Sequence, residues 1–470
     1  MDEKFDKIET IYDLLIYAYE RIQGNEDNSI LSTYLEEMPE YRADITCLFR
    51  EVLYNNLTIK EFLKKIAVYL EDDYKQVCMH ILKEFDRFYG ERDQYPLIRE
   101  STIETKLSYP PDNNISDNLA FYPIFNKNFI MESDVMADAR VHKIYDEIWD
   151  GIKNYRINKY EKDKKVIITK YNNDWIKESL IQNKCLKVAV VPFSNEPPFR
   201  EDKSSGILEY KNYSEEELNK IYEDCIKILE KFDEEKIDIV IFPEVVMRVE
   251  LVERIKSWLT INAITGTNLK LIFIGSYYKD AINRCTLLSG GGVKLVINDK
   301  QNGFEYKDKN NNIHRENLGD KLNNINLVDI KGLGRVWYTI CKDALVFSNV
   351  IAIIEKYACN IQMVSCYTRS LKDFRDSGEL LSRKYQVLSV IANSCAAREL
   401  QSEAIGFISY PVLAKDKSKS TDNRNIDYNC CDRCMKESYC KCGHVFCFYM
   451  EAETYEGCES LKVDNNQILV

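Results

Sequence analysis

From Lys187 onward, short β-branched and aromatic runs alternate with helical stretches, and this rhythm narrows the fold class more than any other feature. "KVAVVPF" (187–193) and "IDIVIFPE" (237–244) have the unbroken apolar texture of strands buried on both faces. Between them, "SEEELNKIYEDCIKILEKFDEEK" has helical spacing, with Ser214 as its N-cap. "ERIKSWLTINAIT" reads as helix and "LKLIFIGSYY" as strand. "RCTLLSGGGVKLVIND" reads as a hairpin turning at Gly290–Gly292. "VWYTICKD" is followed by a helix from about Ser348 to Tyr357, the strand "NIQMVSCY", the helix "DSGELLSRKYQVLSVIA" and further strand. Residues 413–429 are polar and read as an exposed loop, and "CFYMEAETYE" as the final strand. Alternation of this kind builds an α/β layered fold.

The N-terminal part has a different texture. Phe5, Ile8, Tyr12, Leu15, Ile16 and Tyr19 recur at helical spacing. "TIKEFLKKIAVYL" opens with a capping box, Thr58 to Glu61, and places Ile59, Phe62, Leu63, Ile66 and Leu70 on one face. Another helical stretch stops at Gly90, Ser108–Asn118 reads as a loop, and a helical pattern resumes over Ala137–Tyr155. The expected division is a mainly helical domain over 1–182, without a catalytic constellation of its own, and an α/β domain over 183–470.

The formal net charge of −12 speaks against wholesale contact with a nucleic-acid backbone. No run approaches the roughly 20 apolar residues that span a bilayer. The acidic start "MDEKFDKIET" lacks the basic-then-apolar pattern of a secretory signal, so a cytoplasmic protein without a membrane partner is expected. In that compartment the 16 cysteines are reduced thiols, and a cluster among them points to metal or catalysis.

Three polar residues stand at the ends of apolar strands: Glu244 after Phe242-Pro243, Lys300 beyond the glycine hairpin, and Cys341 in Ile340-Cys341-Lys342-Asp343. Strand ends are where α/β folds usually place their chemistry. In this order and context the residues resemble the nitrilase, or carbon–nitrogen hydrolase, superfamily. "KVAVVPF" is similar to that family's first strand, "INRCTLL" to the strand whose asparagine would be Asn283, "NIQMVSCYTRS" to the strand after the nucleophile helix, "SVIANSCA" to a later strand and "IGFISYP" to a turn near the end. The resemblance covers about residues 186–455. It departs at Lys342, where an aromatic is common, and at Pro192, where glutamine is often found.

The resemblance implies a four-layer α-β-β-α sandwich and an amidase-like enzyme that cleaves non-peptide amides or nitriles. Cys341 would be the nucleophile, Glu244 the general base, Lys300 the oxyanion partner and Glu305 the second glutamate, with Lys307 a rival to Lys300. Amides and nitriles are poor electrophiles, and free cysteine is mostly protonated near neutrality. A carboxylate that takes the thiol proton, and fixed positive charge facing the oxyanion, answer both difficulties. The result would be a thioester intermediate formed without a metal. Lys342, through its backbone N–H, and Tyr367 and Arg369, beyond a strand end, are candidates for substrate contact; Cys366 and Cys395 read as core residues. The family's habit of assembling implies a homo-oligomer.

"CCDRCMKESYCKCGHVFC" is a second signal. A C-x-x-C pair followed by closely spaced thiols is the layout of a tetrahedral structural zinc site. Cys431, Cys434, Cys442 and Cys447 form the expected ligand set, with Cys430, Cys440 and His444 as alternates, in an insertion over about 428–448. Two other functions compete with hydrolysis. One is a non-enzymatic scaffold that binds a protein partner through the helical domain and the zinc knuckle. The other is an effector in a bacterial defence system. An acyl acceptor other than water would make the enzyme a transferase.

Overall fold

The computed structural model describes residues 4–23, 41–53, 56–90, 104–109, 119–123, 155–159, 165–171, 185–193, 199–201, 207–307, 311–316, 318–319, 324–330, 333–385, 387–397, 404–411, 425–429, 442–451 and 460–469. Two sheets dominate. The first runs in spatial order Glu104–Tyr109, Lys165–Tyr171, Asn324–Ile330, Gly334–Ile340, Ile361–Cys366, Leu388–Asn393, Gly406–Ser409, Asn425–Tyr428. The second runs Lys294–Asp299, Ile282–Ser289, Leu271–Lys279, Ile239–Ile241, Cys185–Val190, Cys442–Glu451, Ser460–Leu469.

Alternation along each strand sends one set of side chains between the sheets and the other outward. Val188 and Val190 face the core between the sheets with Ile239, Ile241, Tyr338 and Ile340. Ala189 and Val240 face outward, under helices Glu215–Glu234 and Val249–Thr265, which contribute Ile228, Phe232, Leu251 and Ile255. Trp337 and Leu327 face outward from the first sheet, under helices Phe347–Tyr357 and Lys372–Tyr385. The layers are therefore α-β-β-α, as expected. A one-residue slip of any central strand would exchange its two apolar sets, so burial on both faces fixes the register.

Local signals behave as their chemistry requires. Ser214 accepts from the Glu217 N–H while Glu217 reaches back to the Ser214 N–H, at 3.2 and 2.7 Å, which closes a capping box. Thr58 and Glu61 do the same. The glycine hairpin joins Ile282–Ser289 to Lys294–Asp299.

Helices Ile11–Gln23, Tyr41–Leu53 and Ile59–Gly90 pack around a core of their own, which also takes Leu119, Tyr155 and Ile157 from a two-stranded ribbon. Strands from before residue 182 join the first sheet. Lys165–Tyr171 pairs in parallel with Asn324–Ile330, and Glu104–Tyr109 extends the same sheet. The strand run ending near residue 456 is not the last; Cys442–Glu451 continues into a hairpin with Ser460–Leu469. Part of the polar segment 413–429 is also strand, Asn425–Tyr428, paired with Gly406–Ser409. The helical pattern expected over 137–154 lies outside the described residues. Among the described residues no helix is long and apolar enough to cross a membrane.

Candidate active site

Gly334–Ile340, Ile361–Cys366 and Leu388–Asn393 run in parallel in the first sheet, and Cys185–Val190, Ile239–Ile241 and Leu271–Lys279 in the second. Cys341 follows directly on Gly334–Ile340, a strand buried at every position. It begins a short 3-10 turn, Cys341–Ala344, with φ +45°. A left-handed residue at a strand-to-turn junction is strained, at about 1–3 kcal/mol, and lifts its side chain out of the pleat. Glu244 follows Ile239–Ile241 through Phe242-Pro243, and the next residue, Val245, has φ +65°. The Val245 N–H donates to Ser276 Oγ at 3.0 Å, and the Glu244 N–H to Cys366 O at 3.3 Å. The base turn is thereby fastened to both sheets.

Lys300 lies just past Lys294–Asp299, its N–H donating to Asn283 O at 2.8 Å. Its ammonium is 2.8 Å from Glu244 Oε1 and 2.6 Å from Glu316 Oε2, and all three side chains are almost wholly buried. Asn283 Nδ2 donates to both carboxylates, at 3.0 Å each. The Tyr367 N–H donates to Glu244 Oε2 at 2.9 Å. Tyr278 Oη and the Phe304 N–H donate to Glu316. The Cys341 thiol lies beside Glu244, and each shifts the other's hold on its proton.

This environment separates the two carboxylates. Burial pushes Glu244 up and the nearby Glu316 charge adds to it; Lys300 opposes, and the net direction is upward. Burial also pushes Glu316 up, but Lys300 and the Tyr278 and Phe304 donors outweigh it, and its carboxyl lies below the ordinary value. Lys300 loses solvation and gains two counter-charges, and the counter-charges win, so it stays firmly cationic. Burial, then the Glu244 charge, raises the Cys341 thiol, so it rests protonated. Two acids pushed apart beside one thiol divide the labour: Glu244 can exchange a proton, while Glu316 stays ionised and holds Lys300. The arrangement can deliver a thiol to an acyl carbon and receive its proton on Glu244.

Three of the expected catalytic residues, Glu244, Lys300 and Cys341, come together here, and Glu305 does not. It is exposed and pairs with Arg315 at 2.8 Å. The physical reason is strand pairing. Glu305 sits opposite Arg315 in the Glu305–Lys307/Ile313–Glu316 hairpin, so the next residue, Glu316, faces the other way, toward Lys300. Alternation in "IHRE" is the signal that could have located it. Lys307 belongs to the same hairpin, paired with Ile313.

Among the candidates for substrate contact, the Lys342 ammonium donates to Gly303 O at 3.0 Å, which ties it to the loop beyond Lys300. Tyr367 is half-buried, its hydroxyl bonded to Ala396 O at 3.2 Å, and Arg369 is exposed nearby. Asp343, whose role sequence reasoning missed, accepts from the Gln301 and Asn302 N–H groups and from Asn302 Nδ2 at 2.7–2.8 Å. It holds the turn that carries Lys300. Cys366 is a buried core thiol, and Cys395 is disulfide-bonded.

Of the expected zinc ligands, Cys431 and Cys434, with Cys430 and Cys440, lie outside the described residues. Cys442 and Cys447 both belong to strand Cys442–Glu451. Cys447 is buried beside Cys185 in the helix-covered core, and His444 stacks on Tyr428 at 4.9 Å between the sheets. Among the described residues no group of three metal-binding side chains comes together.

The sequence matches no family model, and no curated protein matches it. Solved structures similar to this chain include nitrilase-superfamily members. The NitFhit protein of C. elegans is 15% identical, covering 48% of this chain and 56% of its own, at a TM-score of 0.36. This chain thus spans little more than half of that protein. An amidase from Nesterenkonia sp. AN1, caught with acrylamide added at its active-site cysteine, is 10% identical over 48% of this chain and 85% of its own, at a TM-score of 0.34. Nit3 of Saccharomyces cerevisiae is 14% identical over 48% of this chain and 83% of its own, at a TM-score of 0.32.

Proposed function

We propose that the protein is a carbon–nitrogen hydrolase that cleaves a small non-peptide amide or nitrile through a thioester on Cys341. The observation that carries this reading is the buried cluster in which Lys300 bridges Glu244 and Glu316 beside the Cys341 thiol. Glu244 takes the thiol proton as sulfur attacks the acyl carbon. Lys300 and the backbone N–H of Lys342 stabilise the oxyanion, where removing one such donor typically costs about 3–4 kcal/mol. Glu244 then gives its proton to the departing ammonia or amine and next activates the water that releases the acid. Glu316 holds Lys300 in place and ionised, and Tyr367 and Arg369 flank the substrate.

A zinc ion held by thiols of the 430–447 segment would be structural and take no part in these steps. Cys431, Cys434, Cys442 and Cys447 would be its ligands, with Cys430, Cys440 and His444 as alternates; Cys447 is buried beside Cys185. A homo-oligomer and a protein partner for the helical region belong to the same proposal.

The test is ammonia release from a panel of short aliphatic amides and nitriles. Wild type is expected to turn over at least one, and Cys341→Ala none. A folded wild-type protein inert toward the whole panel, with a cysteine no more reactive than any surface thiol, would favour the scaffold reading instead.

A further inference from the structure

Beyond the turn that carries Lys300 lies a cavity of about 140 Å³ whose lining includes none of Glu244, Lys300, Glu316 and Cys341. Helix Phe347–Tyr357 borders one side, and the end of strand Gly334–Ile340 and the segment after Asp299 border others, leaving a mouth open to solvent. Trp337, Ile353 and Tyr357 supply apolar and aromatic wall, each nearly buried. Asn302, Asn324 and Asn349 supply amide edges. Apolar walls with a few convergent polar groups are the usual make-up of a small-molecule site.

Size and charge narrow the ligand. An apolar cavity of about 150 Å³ admits one benzene ring. The charged groups of the lining are already satisfied. Asp299 accepts two N–H groups from Arg284, at 2.6 and 3.1 Å, Asp343 is bonded three times by Gln301 and Asn302, and Lys356 is itself engaged. A charged guest would have to break one of these pairs, whereas a neutral ring meets aromatic wall and amide dipoles without doing so. We propose that this cavity binds an uncharged single-ring aromatic or heteroaromatic compound with one hydrogen-bonding edge. Asn302 and Asp343 line the cavity and also hold the Lys300 turn, so a bound ring touches the support of the active site from behind.

Phenol is the probe, because it has no acyl group to react at Cys341; benzoate is its charged counterpart. Phenol is expected to raise the melting temperature of the wild type saturably. Ala352→Phe, which fills the cavity from its helix wall, is expected to bind about tenfold more weakly or worse, and benzoate to give no shift. Crystals of the wild type soaked in phenol provide a readout that does not depend on the variant's folding, with ring density expected inside the cavity. An equal phenol shift in wild type and Ala352→Phe, a benzoate shift matching that of phenol, or soaked crystals with an empty cavity would overturn the proposal.

Discussion

Lys300 is a cation locked between two acids, and the two acids are not equivalent. Glu316 faces it from a hairpin strand and accepts four donors in all, whereas Glu244 is the acid beside the thiol. Changing Glu316 to Gln removes one counter-charge of a buried cation and should lower kcat/KM by about 10²-fold or more, as removal of one electrostatic partner does. Glu305→Gln should leave activity within about twofold, because an exposed pair such as Glu305–Arg315 contributes little. Steady-state kinetics of the two variants side by side separates these roles. In the proposed mechanism Glu244 sets the pH dependence. It must be ionised to accept the thiol proton, and its folded-state value is raised above 4.5. The rate kcat/KM should therefore fall as pH drops through a value above 4.5, and Glu244→Gln should lose about 10³-fold. On the alkaline side, Lys300 and Cys341 are both pushed up, so no falling limb is expected through about pH 9. A profile whose acid limb lies below the ordinary carboxylate range would contradict this assignment.

At the scale of elements, two turns hold the chemistry. The Glu244 turn rests on Gly275, with φ +82°, where a Cβ would come within 2.2 Å of Pro243 O. Gly275→Ala should destabilise the fold by at least about 2 kcal/mol and misplace the base, to be read by denaturant unfolding together with kinetics. The Lys300 turn hangs on Asp343 through three hydrogen bonds. Asp343→Ala should cost about 10²-fold in kcat, because misplacing a charged group by about 1 Å is enough for that loss. Here the limits of sequence reading have a physical cause. Cys341 and Glu244 follow unbroken apolar runs and Lys300 lies just past a glycine hairpin, contexts that the family resemblance could match. Glu316 was not legible, because its placement depends on which residue of a neighbouring strand it opposes. "SLKVDNNQIL" (460–469) carries four consecutive polar residues, so no strand texture announces the final hairpin. Asp343 was quoted within its motif, but its bonds join residues about forty apart in sequence.

At the scale of the whole molecule, the four layers were implied by the resemblance, while the pairing of strands across residue 182 was not. A change of texture marks where strands become frequent, not which strands pair, and Lys165–Tyr171 belongs by pairing to the first sheet. The cysteine-rich segment also bears on the whole chain. If its thiols hold zinc, metal analysis of the purified protein should give about one zinc per chain. The paired change of Cys431 and Cys434 to Ser should remove it, with a lower melting temperature. The central claim is that Cys341 becomes acylated, and the most direct measurement is the intact mass of the protein, acid-quenched during turnover of a panel of short aliphatic amides. A mass increment matching the acyl group, mapped to Cys341 and absent from Cys341→Ala, is the expected result. Turnover of an amide with no increment at Cys341, or an increment that persists in Cys341→Ala, would contradict it.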